Sequence, residues 1–166
     1  VGDFIVAGTR SLQEVTGFEQ IHATKSVSIK SNERLRRVVG FATQAGNEQV
    51  LSDLWVRDNP ELSQLPALTG TIGYVKLENN DSLTSLADLE DARVHGVDLE
   101  TNAGLRSLAG LNLADGWQEL CIVDNEALES LHGLGIALPG AWAGLRVLRN
   151  GTLSDMRIRI GPRLSL

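Results

Sequence analysis

Residues 75–86 read VKLENNDSLTSL, and their form, apolar-x-apolar-x-x-Asn-x-x-Leu-x-x-Leu, recurs along the chain. The same frame fits residues 4–15, 27–38, 54–65, 97–108, 120–131 and 145–156, making seven instances in all. Thr9 stands in the Asn place of the first; Asn32, Asn59, Asn80, Asn102, Asn125 and Asn150 fill it in the others. The steps between these positions are 23, 27, 21, 22, 23 and 25 residues, the spacing of stacked coils that each supply a strand and a turn. The chain therefore reads as one mainly-β solenoid domain over residues 1–166, a parallel β-solenoid of about seven short coils starting near residues 4, 27, 54, 75, 97, 120 and 145. A leucine-rich-repeat horseshoe is the alternative.

The four apolar columns of the frame hold 28 positions, from Phe4, Val6, Leu12 and Val15 to Leu145, Val147, Leu153 and Met156, and all 28 are apolar. A fifth column three residues on reads Phe18, Phe41, Leu68, Leu89, Leu111 and Leu134 before failing at Arg159. Each fully buried aliphatic side chain contributes roughly 1.5–3 kcal/mol, so columns of this depth can offset the entropy of ordering a chain with little helix. The first apolar pair of each unit has the period of a strand with both residues inward. The leucines that follow are spaced by three, which suits a tight turn or an irregular arc. At the corner between them, a side-chain amide supplies two donors and an acceptor to backbone groups that a sharp bend leaves unpaired. Asn80 and Asn150 also head Asn-x-Ser/Thr glycosylation acceptors, but both belong to this inward corner column, where a glycan does not fit.

Insertions map to the return arcs: residues 42–53 have room for a turn or two of helix, and residues 114–117 and 138–142 each carry a tryptophan, Trp117 and Trp142. Residues 156–160, Met-Arg-Ile-Arg-Ile, alternate as a final strand whose outward Arg157 and Arg159 discourage edge-to-edge association.

Composition limits function more than it reveals it. The 166 residues carry 42% hydrophobic side chains and a formal charge of −6; nucleic acid is not expected as a partner, because phosphate binding needs clustered Lys and Arg. The single Cys121 makes no intramolecular disulfide, and with three histidines, His22, His95 and His132, scattered over the turning parts of different coils, it makes no zinc site. No run of 18 apolar residues exists to cross a membrane as a helix. No cofactor and no catalytic residue is expected.

The repeats VDLETNAGLRSL and VKLENNDSLTSL, with Gly-Leu following at Gly110-Leu111 and Gly133-Leu134, resemble the receptor L-domain family. That family includes the ligand-binding L domains of the insulin and epidermal growth factor receptors and many bacterial surface proteins. The resemblance covers about residues 3–160. It implies a right-handed β-helix, an extracellular or cell-surface location and a role in binding other molecules.

With the first pair inward, the alternate positions face out in two columns. One holds Ile5, Ser28, Trp55, Lys76, Asp98, Cys121 and Arg146; the other holds Ala7, Lys30, Arg57, Glu78, Glu100, Val123 and Leu148. Their centre, Trp55, Arg57, Lys76, Glu78, Asp98 and Glu100, mixes an aromatic with both charges and is the candidate face for a protein or glycan ligand, since Trp and Arg are favoured interface anchors. The competing reading is a solvated face of lateral ion pairs, Lys76 with Asp98 and Arg57 with Glu78, on a passive spacer domain. A carbohydrate-active enzyme is a third reading, but Lys76 and Arg57 neutralise the Glu78, Asp98 and Glu100 carboxylates it would need.

Overall fold

The computed structural model describes residues 2–17, 24–39, 50–131, 134, 144–151 and 153. Its strands are β1 (Gly2–Ala7), β2 (Glu14–Val15), β3 (Thr24–Lys30), β4 (Arg37–Val38), β5 (Val50–Arg57), β6 (Gly70–Glu78), β7 (Ala92–Glu100), β8 (Glu119–Val123) and β9 (Gly144–Leu148). Seven of them form one sheet in the order β1-β3-β5-β6-β7-β8-β9, parallel throughout. The architecture is an all-β solenoid.

The inward pair of each unit packs as its periodicity predicts. Val27, Ile29, Leu54, Val56, Val75, Leu77, Val97, Leu99, Leu120 and Ile122 are all fully buried. After each corner the backbone closes a tight turn, in which the asparagine carbonyl accepts the amide three residues on: Leu62 to Asn59, Leu83 to Asn80, Leu105 to Asn102 and Leu128 to Asn125. That turn delivers the next leucines, among them Leu62, Leu65, Leu83, Leu86, Leu105 and Leu108, to the core at full burial. The arcs opposite the main sheet also pair with one another. β2 runs parallel to β4, and isolated parallel bridges join Arg37 to Gln64 and Ser107 to Ser130. This second parallel seam encloses the core between two faces, as a β-helix does.

Several expectations are corrected. The seven-stranded sheet is wound into about five turns, not seven coils, because the repeated frame marks strands and corners while a turn also needs its return. β5, β6 and β7 have 8, 9 and 9 residues, longer than the frame implies. Each starts upstream with a further buried residue, Leu51, Ile72 or Val94, three residues ahead of the inward pair, so the alternation is interrupted. At one such interruption a Cβ on Gly73 would stand 2.6 Å from the Ser52 carbonyl oxygen, which explains glycine there. His95 lies within β7 and not in a turning segment. Of the 42–53 insertion expected to hold helical turns, residues 50–53 instead open β5, drawn into the sheet by pairing with β6. Residues 42–49, the strand expected at 156–160, Phe18, Phe41, His22, His132 and Trp142 fall outside the described residues.

The corner residues are buried completely from Asn32 to Asn125 and form a continuous ladder. Asn102 is representative: its Nδ2 donates to the Leu77 carbonyl of the preceding coil at 2.9 Å, to Glu100 O at 3.2 Å and to Asn125 Oδ1 at 3.2 Å. Its Oδ1 accepts the backbone N–H of Asn80 at 3.2 Å. In the first coil the Thr9 hydroxyl takes the place of an amide and donates to Asn32 Oδ1 at 2.8 Å. The residue before each rung is left-handed: Gly8, Ser31, Asp58, Asn79, Thr101, Asp124 and Arg149 have φ between 52° and 67°. That conformation lets the chain leave the sheet within one residue, and it is strained for a side chain.

Candidate functional site

The face built by the outward positions of β5, β6 and β7 brings together all six candidate residues. In the sheet register Trp55 is level with Lys76 and Asp98, and Arg57 with Glu78 and Glu100. Trp55 is 47% exposed, one of three large apolar side chains so exposed among the described residues, with Ile5 and Leu148. Lys76 Nζ sits 2.8 Å from Asp98 Oδ2, 3.6 Å from Glu78 and 3.8 Å from Glu100. The Asp98 hydrogen bond above all holds its pKa above the ordinary lysine value, with partial burial opposing. Arg57 Nε lies 2.8 Å from Glu78 Oε2. That contact is an ion pair and not a hydrogen bond, because the N–H is not directed at the oxygen. The lateral pairing read from the sequence is thus present, and it fixes charged side chains in defined positions around the indole.

The sequence reading missed one row of this face. The outward pattern continues one place upstream, where Asp53, Tyr74, Gly96 and Glu119 share a register row across β5 to β8. The Tyr74 ring lies over Gly96: a Cβ there would stand 2.5 Å from Tyr74 Cδ2 and 3.0 Å from Cε2. The ring therefore needs glycine beneath it. Period 2, run back from Trp55 and Lys76, would have found this row.

Burial and, after it, the Asp98 and Glu119 carboxylates push the Tyr74 phenol up to about 12 from 10.0. Tyr74 is the only tyrosine in the chain, so an ultraviolet phenolate titration reports it alone. The expected midpoint is near 12 in the folded protein and about 10 in denaturant. The unfolded chain then loses its proton at lower pH than the folded one, so stability from this group is complete below about pH 10 and declines toward 12. A native midpoint at the ordinary tyrosine value would show that the ring is not held against the sheet.

Cys121 is level with Asp98 and Arg146. Burial and then Asp98 push its thiol up, the opposite of what a nucleophile needs. Val123, in the second outward column between Glu100 and Leu148, is only 5% exposed and so lies under the face and not on it. Trp117 is 3% exposed and belongs to the core flank. No group of three His, Cys, Asp or Glu that could hold a metal ion occurs among the described residues, and none of their helices is long and apolar enough to cross a membrane.

Comparison with family models, curated proteins and solved structures finds no match. The candidate face rests on its own geometry. A parallel sheet bonds its backbone to its neighbours, so a molecule lying on the face meets side chains alone, here a flat, preset array of one indole, one phenol ring and alternating charges.

Proposed function

We propose that this domain is a non-catalytic recognition module of the receptor L-domain type, working outside the cell or at its surface and binding a protein or glycan ligand on the β5–β7 face. The observation that carries the reading is Trp55, 47% exposed in the middle of a sheet whose neighbouring charges are held by ion pairs. Exposed tryptophan surrounded by ordered polar groups is the composition of an interface anchor and its rim. The surface location follows from the resemblance of the repeats.

The same ion pairs favour a second reading, a passive spacer whose face is satisfied by its own lateral pairing. The two part on one experiment, in which purified domain is offered to a glycan array and to surface extract of its source. In the binding reading a ligand is captured, Trp55→Ala loses at least about tenfold in affinity, and the melting temperature stays the same. Capture that survives both Trp55→Ala and Glu100→Lys excludes this face. The absence of any saturable ligand leaves the spacer.

A further inference from the structure

Asp53, Tyr74, Gly96 and Glu119 form a straight row across four adjacent strands, with a carboxylate at each end. The Tyr74 ring covers the Gly96 place, so the row reads as acid, aromatic bed, acid. Tyr74 stays neutral at physiological pH because its phenol ionises only near 12. Among the described residues neither Asp53 nor Glu119 forms an ion pair, whereas the face's two central cations, Lys76 and Arg57, are engaged by Asp98 and Glu78. Outward positions of β5 to β8 thus carry five carboxylates, Asp53, Glu78, Asp98, Glu100 and Glu119, against three cations, those two and the exposed Arg93 of β7. Further cations, Lys25, Lys30 and Arg146, lie on the flanking strands β3 and β9.

We infer that this row binds an extended polypeptide segment of a partner protein bearing two arginines four residues apart. The inference rests on the reading of the face as a recognition surface, and it names the ligand. Charge complementarity selects a cationic partner. Spacing selects the separation: Asp53 and Glu119 are three strand intervals apart, about 14 Å, and residues i and i+4 of an extended chain are also about 14 Å apart. Chemistry selects arginine over lysine, because a guanidinium pairs bidentately with a carboxylate and stacks on Tyr74 or Trp55. A neutral glycan would use the rings but leave both end carboxylates idle.

The test uses fluorescently labelled peptides in a Ser/Thr background, with Arg at i and i+4, with Arg at i and i+1, and with Glu in place of both. The first should bind saturably, bind more weakly as salt rises, and bind better than the other two. Asp53→Asn/Glu119→Gln should weaken it about tenfold, while the melting temperature and the fold are kept because both side chains lack internal partners. Equal binding of the i, i+1 peptide, or no change in the double variant, overturns the inference. A domain that ignores every peptide but retains a neutral oligosaccharide through Trp55 also overturns it while leaving the recognition surface standing. Loss of all Trp55-dependent capture overturns both.

Discussion

Replacing Asn102 with alanine should destabilise the protein by about 3 kcal/mol or more in urea melts. The substitution strands the Asn80 backbone N–H, which donates to Asn102 Oδ1 at 3.2 Å, and removes the donor to the Leu77 and Glu100 carbonyls. Each buried group left without a partner costs about 1–3 kcal/mol, and Asn102 is fully buried, so water cannot substitute. Asn102→Asp separates the two halves of the amide. It keeps the acceptor for Asn80 but turns a carboxylate toward two carbonyl oxygens, so it should be severely unstable at neutral pH. A carboxyl destabilised in the folded state has a raised pKa there, so this variant should regain stability as pH falls and the group is protonated. Thr9→Ala, which removes a hydroxyl donating to one rung at the half-buried first corner, should cost only about 1 kcal/mol. If Asn102→Ala melts like the parent, the rungs are not what ties one coil to the next.

The second large effect is expected at Gly110. Its φ is +94°, and a Cβ there would collide with the Leu86 carbonyl oxygen and stand 2.5 Å from Ala87 Cα in the coil below. Gly110→Ala combines left-handed strain of about 1–2 kcal/mol with overpacking against rigid backbone, about 1–3 kcal/mol, for a loss of about 3 kcal/mol. Gly116 supplies the control. Its φ is +75°, but nothing lies within 4 Å of its Cβ position, so alanine there should cost only the strain, about 1–2 kcal/mol. Equal losses at the two sites would mean that the coils do not press together at Gly110.

The frame quoted from residues 75–86 carried the inward pairs, the corner asparagines and the leucines after them, because each is tied to a fixed place in a tight unit. Part of what it missed follows from interruptions of that period. Leu51, Ile72 and Val94 are inward yet three residues ahead of the next inward side chain, so simple alternation assigns them no face and the strands look short. Tyr74 lies on the near side of that interruption, two places before Lys76, and escaped because the repeated frame opens only at the inward pair. The second seam of parallel pairing was illegible for another reason. Glu14, Arg37 and Gln64 are polar, so the backbone pairing that joins them leaves no apolar pattern. Of the candidate face, the lateral partners Arg57 with Glu78 and Lys76 with Asp98 were legible once the strands were known to be parallel and in register. The burial of Val123 was not, since it depends on the reach of its taller neighbours.

Rung-to-rung distances along the chain vary from 21 to 27 residues, yet from Phe4 onward, past a register shift between Gly2 and Phe4, strand and corner keep one register through the described coils. Slack is confined to the return arcs. A molecule so divided can gain or lose residues behind its sheet during evolution without disturbing the pattern displayed in front, so the display can be conserved or retuned by single exchanges while the rear is free to drift in length.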